Sequence, residues 1–217
     1  SRVGGAIVPA YTETKALLDG TIDATHTATA IAVGQLGPWA ELYSFHANQM
    51  FWLDYVVWYY QAGGRELFQE LLAPFNIGFA EPATILPPES MGWCNKKITK
   101  LEDFKGMKYR IFGYMGQVVN RMGGVGMATP GGEVFAALER GIVDCAEFST
   151  PAIDEGVGLP DVAKYMLVPG IHQPSTLQVA MVRKDRWEEL PADLKLIVME
   201  ASKAATLESS AFIMKAD

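Results

Sequence analysis

Two charged residues, Arg110 and Glu147, each close an apolar run that predicts a buried strand. A guanidinium at the end of such a strand needs a carboxylate partner, and its planar fork fits the carboxylate of a ligand through two parallel hydrogen bonds. An internal salt bridge to Asp or Glu would satisfy it equally well. Arg110 is therefore a candidate ligand anchor, with a structural ion pair as the open alternative.

Glu147 lies at the corresponding end of another predicted strand. Its carboxylate could balance Arg110, act as a general base, or bind a cation. A hard cation would combine carboxylate, amide and main-chain oxygens. The residue type and its position leave all three roles open.

None of the three histidines stands in a motif that indicates catalysis. His26 is expected to be a hydrogen-bonded residue of a cleft or of the core. His46 and His172 lack the partners of a catalytic triad and of the HExxH motif. The segment Gly113-Tyr114-Met115-Gly116 opens a predicted helix, but it is neither GxGxxG nor a Walker A sequence, so nucleotide binding has little support.

The candidate residues follow a unit that occurs twice, at 8–27 and 129–149. Each copy has an early proline, a predicted helix ending in Leu-x-x-Gly, and a short apolar run built on Asp. The glycine suits a helix C-cap, because it adopts the left-handed conformation at little cost. Two lobes would bring His26 and Glu147 to the edges of two sheets, where open α/β sheets bind ligands. Chance similarity is the alternative, since helix–glycine–strand units are common.

The composition is that of a globular protein, with 49% apolar and 20% charged residues among 217. The net charge of −7 and the lack of a Lys/Arg cluster argue against nucleic acid as a partner. No apolar run is long enough for a transmembrane helix. Cys94 and Cys145 fit no zinc or redox spacing, so we expect small buried side chains, with a disulfide left open.

Alternating strand and helix patterns predict mostly parallel α/β sheets. Helical spacing of aromatic residues predicts two helices within 48–72, split at Gly63, and a last helix over 190–217. A strand is expected over 4–8. Prolines predict a loop over 82–93 that crosses between two lobes.

Several stretches resemble the DctP-type solute-binding proteins of TRAP transporters, especially the branch that binds α-keto acids and lactate with a cation. They span nearly the whole chain in family order, which makes the match specific. The family usually extends beyond both ends, so the chain is expected to be a partial member. The stretches are Gly5-Ala6-Ile7-Val8-Pro9, Gly20-Thr21-Ile22-Asp23-Ala24, Gly63-Gly64-Arg65-Glu66-Leu67, Ala73-Pro74-Phe75-Asn76, Phe104-Lys105-Gly106-Met107-Lys108-Tyr109-Arg110, Pro130-Gly131-Gly132-Glu133, Gly141-Ile142-Val143-Asp144-Cys145-Ala146-Glu147-Phe148 and Val162-Ala163-Lys164-Tyr165.

The resemblance implies a two-lobed, periplasmic-binding-protein-like α/β fold with a ligand cleft between the lobes. Lobe I would comprise residues 1–93 and 174–217, and lobe II residues 94–173. The implied protein is periplasmic and not an enzyme. It would deliver a small monocarboxylic 2-oxo or 2-hydroxy acid, such as pyruvate or lactate, to the TRAP membrane permease. Whether it forms a homodimer is left open.

The resemblance also implies roles for single residues. Arg110 matches the family's carboxylate-binding arginine and Glu147 a metal-binding glutamate, while Phe148 replaces a tryptophan whose carbonyl also reaches the cation. Two departures, Glu89 and Gln173, look like an exchange of Glu and Gln across one cation site that leaves the ligand charge unchanged. A calcium or sodium ion is therefore expected at these residues.

The remaining expected ligand-binding residues are His26, Trp93 and Tyr114. Trp93 and Tyr114, together with Phe148, would form the apolar wall of the cleft.

Two other hypotheses stay open. An α/β enzyme could use Glu147 as base and Arg110 as carboxylate anchor, although no nucleophile motif, histidine pair or phosphate loop supports it. A trimmed chain could also fold without binding competence and aggregate through an exposed sheet edge.

Overall fold

A computed structural model of the protein describes residues 6–9, 11–44 and 50–217. His46 lies outside these ranges, as do residues 4 and 5 of the strand predicted over 4–8. The described strands are β1 (Ala24–Ala28), β2 (Ile77–Leu86), β3 (Gly92–Cys94), β4 (Lys108–Arg110), β5 (Val125–Met127), β6 (Cys145–Ala146), β7 (Tyr165–Leu167) and β8 (Thr176–Arg183).

The described α-helices differ widely in length, and the last is much the longest. They are α1 (Glu13–Leu18), α2 (Val33–Leu36), α3 (Ala40–Ser44), α4 (Trp52–Gln61), α5 (Gly64–Leu72), α6 (Gly113–Arg121), α7 (Val134–Glu139), α8 (Pro151–Gly156), α9 (Leu159–Val162), α10 (Lys184–Glu188) and α11 (Ala192–Ala216). Short 3-10 helices cover Thr29–Ala32, Leu101–Phe104 and Gly131–Glu133. None of the described helices combines the length and hydropathy of a membrane span.

The first sheet contains β8 at its centre, with β1 and β2 antiparallel on either side. Helix α11 packs along β2, where the Ser202 and Thr206 hydroxyls donate hydrogen bonds to the carbonyl oxygen of Pro82 at 2.5 and 2.8 Å. Pro82 therefore lies inside a strand, and the loop predicted to begin at this residue is wrong. An edge strand tolerates a proline, and here the pairing register shifts between Pro82 and Thr84.

An aromatic core fills the space between the first sheet and helices α3 to α5. Tyr43, Tyr55, Tyr59 and Phe68 are fully buried in it. Helices α4 and α5 are separated at Gly63, which takes a left-handed φ of 89°. The predicted split of this segment into two helices is confirmed, and so is the predicted C-terminal helix, which is α11.

The second sheet has the strand order β5-β4-β6-β3-β7. Only the pairs β4–β5 and β4–β6 are parallel, while β3 runs antiparallel to both β6 and β7. The prediction of mostly parallel sheets is therefore wrong. Alternation of strands and helices fixes direction only when consecutive strands become neighbours in the sheet, and here many neighbours are distant in sequence.

The two cysteines lie directly opposite each other on β3 and β6, and they form a disulfide. Cys94 and Cys145 are also almost completely buried. The bond joins positions separated by 51 residues and ties β3 into the second sheet. The alternative that the sequence left open is thus decided in favour of the disulfide.

The two copies of the repeated unit lead into different sheets. In the first copy α1 is followed by Gly20, with φ of 79°, and by edge strand β1; in the second, α7 is followed by Gly141, with φ of 67°, and by β6. Residues 6–8 form bends. The strand predicted over 4–8 is therefore wrong for these three residues. The predicted lobe boundary at 93/94 falls inside β3, and the division into lobes stays a prediction.

Candidate functional site

A cleft of about 340 Å³ separates the two sheets. Both sheets contribute to its walls, and the second-sheet side carries the two charged residues singled out from the sequence. The lining residues are Tyr11, Glu13, Ala28, Ile31, Leu86, Glu89, Arg110, Phe112, Gly131, Gly132, Glu147, Phe148, Ser149, Gln173, Thr176 and Gln178. The cleft therefore combines one guanidinium with several carboxylate and amide groups.

Arg110 and Glu147 meet because β4 and β6 are parallel neighbours. Arg110 is paired with Ala146, so the residue after β6 reaches the same edge, and the Glu147 amide donates to the Arg110 carbonyl at 3.0 Å. The Arg110 Nη1 group donates to the Glu147 carboxylate at 3.0 Å and also to the Glu147 carbonyl oxygen. An internal ion pair is thus present, within a group that also lines the cleft.

Two further contacts fix the plane of the guanidinium. The Nε group of Arg110 donates to the Thr129 carbonyl oxygen at 3.2 Å. Its Cζ atom lies 4.3 Å above the centre of the Phe112 ring. Among the described residues the Nη2 group has no hydrogen-bond partner, which leaves one donor edge of the fork available.

Glu89 and Glu147, which line the cleft, converge with His172. One potential ligand atom of each residue lies within 4.8 Å of the others, and all three side chains are buried. His172 Nε2 is 3.9 Å from a carboxylate oxygen of Glu147. The Glu89 amide donates to the Gln173 carbonyl oxygen, and the Gly170 amide donates to the Glu89 carbonyl oxygen, both at 3.1 Å, so the backbone holds the two segments together.

One carboxylate oxygen of Glu89 is well satisfied. Gln173 Nε2 donates to Glu89 Oε1 at 3.3 Å, and Thr176 Oγ1 donates to the same atom at 3.2 Å. The other carboxylate oxygen of Glu89, the side-chain oxygen of Gln173 and both ring nitrogens of His172 are buried and have no hydrogen-bond partner among the described residues. Because a buried unsatisfied polar atom costs about 1–3 kcal/mol, this group of atoms fits an additional bound species.

The oxygen atoms of this region have the chemistry of a site for a hard cation. Carboxylate oxygens from Glu89 and Glu147 and an amide oxygen from Gln173 are the ligand types that calcium prefers. Burial and the nearby negative charge of Glu147 raise the pKa of Glu89 well above its usual range. Burial opposes ionisation of Glu147 too, but the positive charge of Arg110 lowers its pKa below the ordinary value. The two carboxyls thus differ sharply in how easily they ionise.

A buried carboxyl behind the cleft supports both acidic segments. Asp154, in α8, accepts hydrogen bonds from Ser90 Oγ at 3.0 Å, Trp93 Nε1 at 2.9 Å and the Ser149 amide at 2.9 Å. Ser90 follows Glu89, and Ser149 lies two residues after Glu147. Burial raises the pKa of Asp154 to about 7.

The predicted site residues separate into two groups. Arg110, Glu147, Glu89, Gln173 and Phe148 all line the cleft. The remaining three are not among its lining residues, and their predicted roles stay predictions. Trp93 contacts Asp154, His26 is exposed on β1, and the Tyr114 amide donates to a carboxylate oxygen of Glu41 at 3.2 Å.

Sequence reasoning missed three residues of this region. His172 stands in no catalytic motif, and only its position directly before Gln173 could have indicated it. Thr176 begins β8 and donates to Glu89. Tyr11 lines the cleft from the first-sheet side, and nothing in its sequence context points to this position.

Comparison with known proteins identifies the family. Residues 89–216 match the family profile DctP, described as bacterial extracellular solute-binding protein, family 7. The chain is 32% identical over 210 residues to the monocarboxylate 2-oxoacid-binding periplasmic protein of Nostoc sp. (strain PCC 7120), covering 95% of this chain and 55% of that protein. It therefore spans about half the length of this curated relative.

Solved structures show the same architecture. A TRAP transporter solute-binding protein from Bordetella bronchiseptica RB50, with copurified calcium and picolinate, superposes with a TM-score of 0.87 at 26% identity, over 98% of this chain and 62% of that one. One from Pseudoalteromonas atlantica T6c, with bound sodium and pyruvate, has a TM-score of 0.83 at 26% identity, over 94% and 61%. The predicted two-lobed α/β fold is confirmed. The chain belongs to the DctP family of bacterial extracellular solute-binding proteins, and these two solved neighbours are TRAP transporter solute-binding proteins.

Proposed function

We propose that this protein binds a small monocarboxylic 2-oxo or 2-hydroxy acid together with a calcium or sodium ion, and delivers the acid to a TRAP membrane permease. The observation that carries the proposal is that Glu89 and Gln173, in the same cleft as Arg110, each have a buried side-chain oxygen without a hydrogen-bond partner among the described residues. The relatives described as binding 2-oxoacids, or holding pyruvate with sodium, support the ligand class.

Each group would have a distinct task in binding. The cation would be held by Glu147, Glu89, the side-chain oxygen of Gln173 and the main-chain oxygen of Phe148. It would supply positive charge, so that an acidic site can accept a carboxylate and a neighbouring oxygen of the ligand. Arg110 would donate from its free edge to the ligand carboxylate, while the Glu147 carboxylate keeps the guanidinium in place.

The lobe assignment is part of the same proposal. Residues 1–93 and 174–217 would form one lobe and residues 94–173 the other, with closure of the two burying the acid. The closed form would then be the one that the permease recognises. The apolar side chains Phe148, Leu86 and Ile31 line the cleft and would surround the carbon chain of the ligand.

A thermal-shift experiment tests the proposal on the 217-residue chain. We expect pyruvate or lactate with calcium or sodium to raise the unfolding temperature, since ligand at 100 times Kd adds about 2.7 kcal/mol of stability. EDTA should weaken a calcium-dependent shift, and Glu147→Gln should abolish it. Glu70→Gln, which removes the same charge from the exposed face of α5, is the matched control and should keep the shift.

Two outcomes would contradict the proposal. If the unfolding temperature of the folded protein responds to none of the C2–C8 carboxylic acids, the proposed ligand class is wrong. If pyruvate still raises the unfolding temperature in the presence of EDTA and in Glu147→Gln, the proposed role of the cation is wrong. The same samples test the alternative of an enzyme with Glu147 as base, because the pyruvate concentration should stay constant during incubation without added coenzyme.

A further inference from the structure

Tyr11 reaches across the cleft from the first-sheet side to a loop of the second-sheet side. It lies just before α1, which packs against β1, and its ring lines the cleft. The hydroxyl accepts a hydrogen bond from the Gly131 amide at 2.7 Å and donates one to the Thr129 carbonyl oxygen at 3.3 Å. One side chain thus fastens two backbone groups on the opposite wall.

The backbone at Tyr11 is held in an unusual conformation. Its φ of 67° makes it the one non-glycine residue with positive φ among the described part of the chain. A tight turn imposes this conformation, because both the amide and the hydroxyl of Thr12 donate to the Pro9 carbonyl oxygen, at 3.2 and 2.6 Å. Strain of this kind persists where the surrounding contacts determine it, and it is concentrated at functional sites.

The groups that Tyr11 contacts are the groups that orient Arg110. The Thr129 carbonyl oxygen accepts from both the Tyr11 hydroxyl and Arg110 Nε. The Tyr11 ring packs edge-on against Phe112, with ring centres 5.1 Å apart, and Phe112 is the ring beneath the guanidinium. Tyr11 and Arg110 therefore share an acceptor and an aromatic neighbour.

We propose that Tyr11 is a positioning residue, whose hydroxyl holds the 129–131 loop so that Arg110 keeps its orientation and the bound acid is released slowly. This inference rests on the proposed function, because it takes Arg110 as the anchor of the ligand carboxylate. The hydroxyl acts from the first-sheet side, so its contacts also join the two walls while the ligand is bound. The 129–131 loop also packs closely on Phe148, since a Cβ at Gly131 would lie 2.9 Å from the Phe148 ring.

Tyr11→Phe tests the inference, because it removes the hydroxyl and keeps the ring against Phe112. With pyruvate and calcium as the probe, we expect dissociation to become about tenfold faster, as for the net loss of one to two hydrogen bonds. Association should be nearly unchanged. Tyr165→Phe, on exposed edge strand β7, removes a hydroxyl away from the cleft and should leave both rates as they are.

A double-mutant cycle with Arg110→Lys separates positioning from general stability. If Tyr11 acts through Arg110, its hydroxyl should matter much less once the planar guanidinium is gone, so the two effects on pyruvate affinity will not add. A dissociation rate of Tyr11→Phe within twofold of the unmodified chain would overturn the inference. Strict additivity of the two substitutions would overturn it as well.

Hydrogen exchange at the Gly131 amide gives a readout that needs no ligand. This amide donates to the Tyr11 hydroxyl, so Tyr11→Phe should speed its exchange, while Tyr165→Phe should not. If the unmodified chain binds no acid, the proposed function is wrong. The exchange rate of the Gly131 amide then still tests whether the Tyr11 hydroxyl holds the 129–131 loop. Unchanged exchange at Gly131 in Tyr11→Phe would refute the role of the hydroxyl.

Discussion

Replacing Arg110 by methionine should leave the buried negative charge of Glu147 without a positive partner. Arg110 is only 4% exposed, and three of its hydrogen bonds end on Glu147 and Thr129. Methionine has similar length and no charge, so the Glu147 carboxylate would stay buried without its cationic partner. Breaking a buried ion pair in this way costs about 3–5 kcal/mol, and we expect Arg110→Met to lose this much unfolding free energy at pH 7.

The loss should depend on pH with a definite sign. In the unmodified chain the pKa of Glu147 is lower than its ordinary value. The ionised carboxylate therefore contributes stability at neutral pH, and this contribution is lost as the pH falls through the lowered pKa of the folded protein. Without Arg110, burial raises the Glu147 pKa, so a proton neutralises the carboxyl more readily. The gap in unfolding free energy between Arg110→Met and the unmodified chain should therefore narrow between pH 7 and pH 5.

Urea unfolding with EDTA present, at pH 5 and pH 7, measures both quantities. Arg121→Met, which removes an exposed arginine from α6, is the control and should change the unfolding free energy by less than about 0.5 kcal/mol. Adding Glu147→Gln to Arg110→Met should restore part of the stability, because no buried charge remains. A loss below about 1 kcal/mol in Arg110→Met, equal at both pH values, would contradict the expected cost of an unpaired buried charge.

Two further predictions concern Glu41 and the disulfide. Burial raises the pKa of Glu41 from 4.5 to about 7, so its contribution to stability is present below about pH 4.5 and is lost as the pH rises through 7. Glu41→Gln should therefore raise the unfolding temperature at pH 8 and change it little at pH 4.5, and an equal shift at both would contradict this. Replacing Cys94 and Cys145 by serine should lower the unfolding free energy by about 4 kcal/mol on the chain-entropy scale; urea midpoints equal to those of the oxidised protein would exclude that.

The elements best predicted from sequence are those whose signal is local. Gly63 interrupts a strong aromatic helical pattern, and the structure ends one helix and begins the next at this point. The loop predicted at Pro82 is wrong because the effect of a proline depends on whether its strand lies at the edge of a sheet, which is a tertiary property. Strand direction failed for the same reason, since β2 and β8 pair although they are far apart in sequence.

Part of the candidate site could be predicted from strand ends, and a further part only from the family resemblance. Arg110 and Glu147 could be suspected from strand ends alone, but Glu89 and Gln173 entered only through the resemblance. The partners that orient these groups had no sequence signal. Tyr11 is exceptional through its backbone conformation, and Asp154 through its three donors, and both properties exist only once the chain is folded.

The strands of the first sheet come from three distant parts of the chain, residues 24–28, 77–86 and 176–183, whereas those of the second sheet all lie within 92–167. Long-range pairing must overcome loop-closure entropy before its contacts form, so we expect the second sheet to assemble first. Until β8 arrives, both β1 and β2 lack the neighbour that joins them in the described structure. The species that chaperones and proteases meet would then be a chain with one finished sheet and a tyrosine-rich core still open to water.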